Sequence, residues 1–243
     1  MNHQEILAGL IVLLYLSDCL RLLHPGAAAL CVSGDSAWRV LFGSSRMVLA
    51  GKDPLLANPF DPSQILFIVA WRGQGSRAEH GPALEAQTLR TAAAALRAPG
   101  WTCWISWTLA LLALPALLLL NTGPVPVIVC ACALYLNITL TGLLLYARRS
   151  RLGVSAGQVA KIWGESVLCA PFGANMARKL ALALPTRDAS LALLGSRLLD
   201  DRHKRLAWQE CRERLVERMA EFDEGTPEYD ALGQEAASWR TEP

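Results

Sequence analysis

The chain contains, from Trp101 to Asn121, the stretch WTCWISWTLALLALPALLLLN, in which no residue carries a charge. A second uncharged stretch, PVPVIVCACALYLNITLTGLLLYA, follows at residues 124–147. The two are about 20 and 23 residues long, and each is long enough as a helix to cross a hydrocarbon layer about 30 Å thick. The connection NTGPVP is short and rich in turn residues. We therefore predict a transmembrane helical hairpin over residues 101–147.

Aromatic and basic residues mark the two outer ends of this hairpin. Three tryptophans at every third position open the first helix, and a tyrosine lies at matching depth near the end of the second. Such amphipathic rings gather at the membrane–water interface. Three arginines follow the second helix while the tip carries no charge, so the positive-inside rule places both outer ends in the cytoplasm. The predicted membrane-interface residues are Trp101, Trp104, Trp107, Tyr146, Arg148, Arg149 and Arg151.

A third transmembrane helix is predicted by the N-terminal run ILAGLIVLLYLSDCLRLL, Ile6 to Leu23. The run is about 18 residues long, near the lower limit for crossing. No Lys or Arg precedes it and Arg21 ends it, which places the N-terminus outside. The alternative is a secretory signal peptide, although the positively charged start that such peptides carry is missing. Asp18 lies near the inner end, where we expect an ion pair with Arg21 on one helical face.

The composition agrees with a membrane protein that also has substantial aqueous parts. Charged residues make up 18% of the chain and hydrophobic residues 53%, whereas soluble domains are about 25% charged. The mean hydropathy is only +0.29. A net charge of +2, without a long one-sided basic patch, argues against nucleic acid as a partner. The seven cysteines and four histidines show no ligand spacing, so we expect no metal and no other cofactor.

Residues 24–100 are predicted to form a cytoplasmic insertion that contains a small β-meander. Short runs of β-branched and aromatic residues between turn residues are typical of strands. So small a sheet needs something to pack on, and we expect a helix near residues 81–98 or the membrane surface. The loop DPLLANPFDPS, residues 53–63, is expected to cap the sheet, with insertion into lipid headgroups as the alternative. The predicted strands are ALCVS (29–33), AWRVLF (37–42), RMVLA (46–50) and QILFIVAW (64–71).

A helix break is predicted within ESVLCAPFGANMARKLALAL, residues 165–184, at Pro171 to Gly173. We interpret the break as a corner between two packed helices, with the following asparagine as a cap or first-turn residue of the second. One alternative is a helix that rests on the membrane surface, since a basic pair lies beside an apolar stripe. Another is a site for a partner or ligand. The candidate residues for a surface or partner contact are Phe172, Asn175, Arg178 and Lys179.

These expectations combine into a membrane α-helical fold class with three transmembrane helices, a small β-meander-containing cytoplasmic insertion and an α-helical cytoplasmic C-terminal region. We expect a multi-pass protein of a bacterial-type inner membrane, with the N-terminus outside and the C-terminus in the cytoplasm. The predicted segments are transmembrane helix 1 (1–23), the insertion with its helix (24–100), the hairpin (101–147) and the helical tail (148–243).

The predicted function is that of a non-enzymatic scaffold, assembly or regulatory subunit with a cytoplasmic interaction surface. No catalytic pattern and no cluster of titratable residues in the sequence points to an enzyme. The predicted partners are the lipid bilayer and one or more cytoplasmic proteins, and a second copy of the chain is a further option. Two alternatives stay open, a transporter or channel accessory subunit and a membrane-surface lipid enzyme. The polar residues available to a transporter or channel subunit are Asp18, Asn121, Asn137 and Thr141. Those near the site of a lipid enzyme are Asp53, Asp61, Arg178 and Lys179.

Overall fold

The computed structural model describes residues 3–33, 37–44, 47–72, 86–186 and 189–239 of the chain. The protein is mixed α/β and 66% helical, with two small sheets in its N-terminal part. It divides into two compact units. Unit 1 consists of Met1–Arg21, Leu55–Phe67 and Gln87–Pro185, and unit 2 of Leu22–Pro54, Ile68–Ala86 and Thr186–Pro243.

The helices and strands within the described residues are numbered in chain order. The helices are α1 (His3–Cys19), α2 (Ala86–Arg97), α3 (Gly100–Thr108), α4 (Leu114–Leu119), α5 (Pro124–Leu152), α6 (Ala156–Leu168), α7 (Met176–Leu182), α8 (Leu191–Leu198), α9 (Asp201–Met219) and α10 (Pro227–Ser238). A π-helical turn, Leu109–Ala113, joins α3 to α4, and a 3-10 helix, Ala170–Asn175, precedes α7. The strands are β1 (Leu20–Leu23), β2 (Ala27–Val32), β3 (Trp38–Phe42), β4 (Asp53–Leu56) and β5 (Ile65–Ala70).

The strands form two sheets, and the predicted meander is wrong. β1 pairs with β4, and β3, β2 and β5 form a three-stranded sheet in that order. β2 and β3 are antiparallel, with Ala28 opposite Phe42. Strands are found where the sequence predicts β2, β3 and β5, but not at residues 47–50. Leu49 makes only an isolated bridge to Lys52, and Ala50 turns the chain back with a φ of 52°.

The prediction of three transmembrane helices is also wrong. Among the described residues, two helical segments are long and apolar enough to cross a membrane, Gly100–Leu119 and Pro124–Leu152, by length and composition alone. α1 has 17 residues, because the chain enters strand β1 at Leu20. A helix of that length extends about 25 Å, less than the roughly 30 Å of the hydrocarbon layer. The outside position predicted for the N-terminus depended on the third span and is withdrawn with it.

Proline and glycine shape the helical hairpin of unit 1. Pro115 lacks an N–H, and its ring excludes the carbonyl four residues earlier. The helix accordingly widens into the π-helical turn just ahead of it. The hairpin tip turns through Asn121 and Gly123, both at positive φ, and the left-handed Gly153 ends α5. These local features produce the helix pair that the sequence predicts.

A buried asparagine joins the two sides of the hairpin. Asn137 Nδ2 of α5 donates to the carbonyl of Thr102 and to the hydroxyl of Ser106 in α3, both at 2.7 Å. The Thr141 hydroxyl donates to the carbonyl of Asn137 at 2.8 Å. All four residues are buried. These polar groups are therefore hydrogen-bonded to one another inside the hairpin, which satisfies them away from water.

The break after α6 is a tight corner against α5. The 3-10 helix Ala170–Asn175 lies so close to α5 that a Cβ on Gly173 would come within 2.5 Å of Ile138 Cγ1. Gly142 of α5 likewise leaves room for the Trp163 ring, since a Cβ there would lie 2.8 Å from it. Larger residues at either glycine would force the helices apart. The break is thus a corner between packed helices, as the sequence predicts.

Helix α9 packs against α8, α10 and strand β3 in unit 2. The Trp208 ring of α9 meets Trp239 edge to face, with centroids 5.1 Å apart. Arg214 Nη2 of α9 donates to the carbonyl of Gly43 at 2.7 Å, and its guanidinium lies over the Phe42 ring at 4.9 Å. The residues of α9 that face this core are Ala207, Trp208, Cys211 and Leu215.

Candidate functional site

Buried polar side chains of unit 1 meet where the end of α1 approaches the start of α7. Asp18 and Cys19 complete the last turn of α1. Asn175 is the N-cap residue of α7, and Arg178 and Lys179 follow in its first turn. The spacing of three and four residues from Asn175 places the last three on one helical face. We call these five residues the α1–α7 cluster.

The Asp18 carboxylate holds the cluster together. Its Oδ1 accepts from Lys179 Nζ at 2.9 Å and lies 3.5 Å from Arg21 Nη2. Its Oδ2 accepts from Asn175 Nδ2 at 3.0 Å. The predicted ion pair with Arg21 is therefore present, but Lys179 is closer. Because the side chains of Asp18 and Lys179 are only 5% and 9% exposed, solvent and salt screen their attraction weakly.

Arg178 fastens the loop between β4 and β5 to α7. The residue has an exposed fraction of 0%. Its Nε donates to the carbonyl of Gln64 at 3.2 Å, and its Nη2 donates to those of Asn58 and Asp61 at 3.1 and 2.6 Å. A guanidinium suits this task because its donors form a rigid fork. Nη1 completes the set by donating to Cys19 Sγ at 3.5 Å.

We call residues 57–64 the β4–β5 loop. This loop has a second attachment point at Pro59. The Pro59 carbonyl accepts from Tyr15 Oη at 2.7 Å and from Trp107 Nε1 at 3.0 Å. Burial raises the pKa of the Tyr15 phenol far above its ordinary value. The hydroxyl therefore stays protonated and available as a donor. Side chains from α1, α3 and α7 thus converge on the backbone of one loop.

The backbone N–H groups of the β4–β5 loop are all hydrogen-bonded within the protein. The Ala57 N–H donates to the carbonyl of Cys19 at 3.0 Å. Three further N–H groups donate to side-chain oxygens of the loop, and two donate to its carbonyls. The N–H of Asn58 donates to Gln64 Oε1, that of Phe60 to Asn58 Oδ1 and that of Ser63 to Asp61 Oδ1. The N–H of Asp61 donates to the Asn58 carbonyl, and that of Gln64 donates to the Asp61 carbonyl. Since the two remaining residues are prolines, every N–H from residue 57 to 64 has an acceptor within the protein.

The predicted interface tryptophans lie along α3. Trp101 and Trp104 are exposed, whereas Trp107 is half-buried beside the β4–β5 loop. Trp104 and Trp107 pack edge to face with ring centroids 5.7 Å apart. The three rings therefore lie along the start of the first candidate span, and their contact with a membrane stays a prediction.

The tyrosine and arginines predicted at the interface lie at the end of α5. The Arg149 guanidinium stacks over the exposed Tyr146 ring at 4.0 Å, and its Nη1 donates to the Tyr146 carbonyl at 3.1 Å. Arg148 is half-buried and Arg151 is exposed. The structure brings these four together at the end of the second candidate span, and their membrane role also stays a prediction.

The residues predicted for a surface or partner contact lie around the corner before α7. Phe172 is half-buried, with Lys179 Nζ 4.0 Å above its ring. Asn175 and Arg178 are buried and bind inside unit 1. Asn175 Oδ1 finds no hydrogen-bond partner within the described part of the chain. Sequence reasoning missed the role of Tyr15, because nothing in the local pattern links a helix tyrosine to a carbonyl in a distant loop.

Two open grooves flank α9 in unit 2. The larger has a volume of about 950 Å³ and is lined by α9 and Trp239. The smaller, about 460 Å³, lies between α9 and β3. Leu206 and Val216 are exposed apolar residues at these grooves, among interleaved charges. The residues of α9 that line the larger groove include Arg205, Arg212, Glu213, Val216 and Glu217.

Two titratable side chains of unit 2 have shifted pKa values. The N–H and ring of His203 hydrogen-bond to the Asp200 carboxylate, which lowers the pKa of that carboxyl. Asp200 therefore stays ionised as the N-cap of α9. Burial raises the pKa of the Cys211 thiol well above its ordinary value, so this thiol stays protonated and a weak nucleophile.

Comparison with known proteins adds no relative of this chain. No protein-family model, no curated protein sequence and no solved structure matches it. Among the described residues, no group of three or more His, Cys, Asp or Glu side chains is arranged to hold a metal ion. The function is therefore argued from the geometry of the two units alone.

Proposed function

We propose that the chain is a scaffold or assembly subunit, anchored in a bacterial-type inner membrane by the hairpin of residues 100–152, and that unit 2 binds a protein partner. Arg148, Arg149 and Arg151 at the end of α5 support a cytoplasmic position for both outer ends of the hairpin. On this proposal the partner is also on the cytoplasmic side.

The apolar outer face of the hairpin carries the proposal. Only 33% of each candidate span window is buried inside the protein, whereas a core helix of a soluble protein would be mostly buried. Large apolar side chains therefore face outward along both segments. A contiguous patch of this kind marks a membrane or protein contact rather than a surface in water. The exposed apolar residues of α5 include Val125, Ile128, Val129, Leu136, Leu140 and Leu143.

The grooves beside α9 support partner binding by unit 2. They combine exposed apolar residues with charges of both signs, which is the composition of a polar-rimmed protein interface. By contrast, Asn137 and Thr141 bond inside the hairpin, although a pore would need such groups turned toward its lumen. The geometry therefore favours the scaffold over the transporter subunit.

Membrane anchoring is tested by extraction of membranes that contain the full chain. We expect the protein to stay with the membrane in alkaline carbonate and to dissolve only in detergent. A variant Leu136→Arg, which places a charge on the outer face of α5, should lower the membrane-bound fraction, while Leu136→Phe should not. Release of the unaltered chain by carbonate would refute the anchor.

Partner binding is tested by affinity purification of the full chain from native membranes in mild detergent. We expect a discrete protein to co-purify and to be lost in Val216→Glu, which places a charge in the larger groove. Phe222→Glu, at an exposed position after the end of α9, is the matched control and should keep the partner. If Val216→Glu retains the partner in full yield, the groove is not the binding surface.

A further inference from the structure

We propose that the β4–β5 loop inserts into the membrane interface, with Leu56 and Phe60 reaching the boundary between lipid headgroups and acyl chains. The inference rests on the proposed hairpin anchor, because it uses the start of α3 as its reference depth. It adds a third membrane contact, made by an irregular loop rather than a helix. The partner that this surface fits is a lipid bilayer.

The first observation is the exposure of two large apolar side chains on a rigid loop. Phe60 is 74% exposed and Leu56, at the end of β4, is 57% exposed. The backbone N–H of Phe60 donates to Asn58 Oδ1 at 3.0 Å, which fixes the turn that presents the ring. Exposed in water, such a ring would forgo the free energy of burial that a lipid surface offers.

The second observation is the position of the loop along α3. A Cβ on Gly100 would lie 3.5 Å from Ser63 Cβ, so one end of the loop lies beside the first turn of α3. The other end is at Pro59, whose carbonyl accepts from Trp107 Nε1. Gly100 and Trp107 are about 10 Å apart along the helix axis at 1.5 Å per residue. The loop therefore covers the first part of the candidate span, the depth at which interfacial segments bury their apolar faces.

The third observation is that every N–H and four of the eight carbonyls of the loop are hydrogen-bonded within the protein. Irregular backbone is tolerated at membrane depth only where the protein itself supplies hydrogen-bond partners. Every N–H from residue 57 to 64 has an acceptor in the protein. Side chains of Arg178, Tyr15 and Trp107 donate to the carbonyls of four loop residues. A loop exposed only to water would not need these partners within the protein, since water would bind the same groups.

The fourth observation is the set of exposed apolar side chains on the first turns of α3. Trp101, Trp104 and Ile105 are exposed on the same two turns of α3. Trp104 packs edge to face on Trp107, whose Nε1 binds the Pro59 carbonyl, so these exposed rings begin next to the loop. Tryptophan rings prefer the interfacial depth. The bilayer that covers α3 would therefore also cover Phe60.

The test uses site-directed spin labelling of the full chain in phosphatidylethanolamine and phosphatidylglycerol vesicles. Cys132 and Cys169, the cysteines that are not buried, are first replaced by Ser so that the label is specific. Phe60→Cys and Leu56→Cys are labelled with a nitroxide, and collisions with oxygen and with a water-soluble nickel chelate are compared. Leu136→Cys on α5 and Leu206→Cys on α9 serve as the lipid and water references, and both positions are exposed.

We expect the nitroxides at residues 60 and 56 to collide more often with oxygen than with the nickel chelate. The ratio of the two collision rates should lie between the ratios at the lipid reference and at the water reference. Phe60→Cys replaces an exposed side chain, so the fold is retained and the label reports position. If residue 60 behaves as Leu206 does while Leu136 reports lipid, the loop proposal is refuted and the hairpin anchor stands. If Leu136 itself reports water, the anchor is refuted and the loop proposal with it.

Discussion

Replacement of Arg178 by methionine should strongly destabilise unit 1. The change keeps the length and most of the volume of the side chain but removes the donors that hold the β4–β5 loop. The buried Gln64 carbonyl loses the Arg178 Nε donor, whereas the carbonyls of Asn58 and Asp61 lose Nη2 but keep the N–H groups of Asp61 and Gln64. The carbonyl of Pro59 keeps its donors from Tyr15 and Trp107. The loop should therefore stay attached at Pro59 and detach from Arg178 of α7.

The expected loss follows from the cost of unsatisfied carbonyls. A buried acceptor left without a donor costs about 1–3 kcal/mol, which applies to the Gln64 carbonyl, and each of the two hydrogen bonds lost from the charged donor to Asn58 and Asp61 costs about 1.5–3 kcal/mol. Part of the loop can turn toward solvent and recover some of this cost. We therefore expect a loss of about 3–5 kcal/mol, near the lower end of that sum. Arg178→Lys should recover only a fraction, since one ammonium cannot reach three carbonyls in the same fork geometry.

The assay is unfolding of the full chain in mild detergent, followed by near-ultraviolet circular dichroism. Arg212→Met, at an exposed position of α9 in the larger groove, is the matched control and should change stability by no more than about 0.5 kcal/mol. If Arg178→Met is as mild as this control, the buried guanidinium does not hold the loop. Our account of the α1–α7 cluster would then be incorrect.

Asp18, Gly173 and Cys211 allow three further tests of the structure. Asp18→Asn should cost roughly 3 kcal/mol, the lower end of the range for breaking a buried pair, because it leaves the mostly buried ammonium of Lys179 with only the Glu165 carboxylate, 3.6 Å away. Adding Lys179→Met should recover part of that loss, and strictly additive losses in the unfolding assay would contradict the pairing. Gly173→Ala should lower the free energy of unfolding by about 1–3 kcal/mol through the clash with α5. The control Gly164→Ala, whose Cβ would meet no atom within 4 Å, should be neutral or slightly stabilising. Equal melting temperatures of the two variants would count against the tight corner. Burial raises the pKa of the Cys211 thiol. This thiol should therefore resist iodoacetamide at pH 8–9 in the folded protein and react after denaturation, as measured by mass spectrometry. Fast labelling of the folded chain would show that the thiol is accessible.

Short-range patterns account for the parts of the fold that the sequence predicts well. The hairpin follows from two long uncharged runs and a turn between them, and both the tip at Gly123 and the end at Gly153 use local glycine geometry. The corner before α7 follows in the same way from Pro171 and Gly173. Strands β2, β3 and β5 were visible as short β-branched and aromatic runs. Each of these features is determined by residues close together in the chain.

The errors arose where pairing partners are far apart in sequence. The last residues of the first apolar run form β1 because β4 is available to pair with them, and this pairing shortens α1 to 17 residues. Apolar strand and helix segments of this length read alike in one sequence. The meander failed for the same reason, since strand order depends on which edges meet rather than on the runs themselves.

The sequence by itself determined that this protein has an apolar helical hairpin with aromatic and basic ends, a helix break near Pro171 and a helical C-terminal region. It did so because hydrophobic period, turn residues and charge act over a few residues. Only the tertiary structure decided that Arg178, at the start of α7, is buried and holds the β4–β5 loop, and that Asp18 pairs first with Lys179. Those assignments depend on desolvation and on hydrogen-bond geometry between distant segments, which no local pattern encodes.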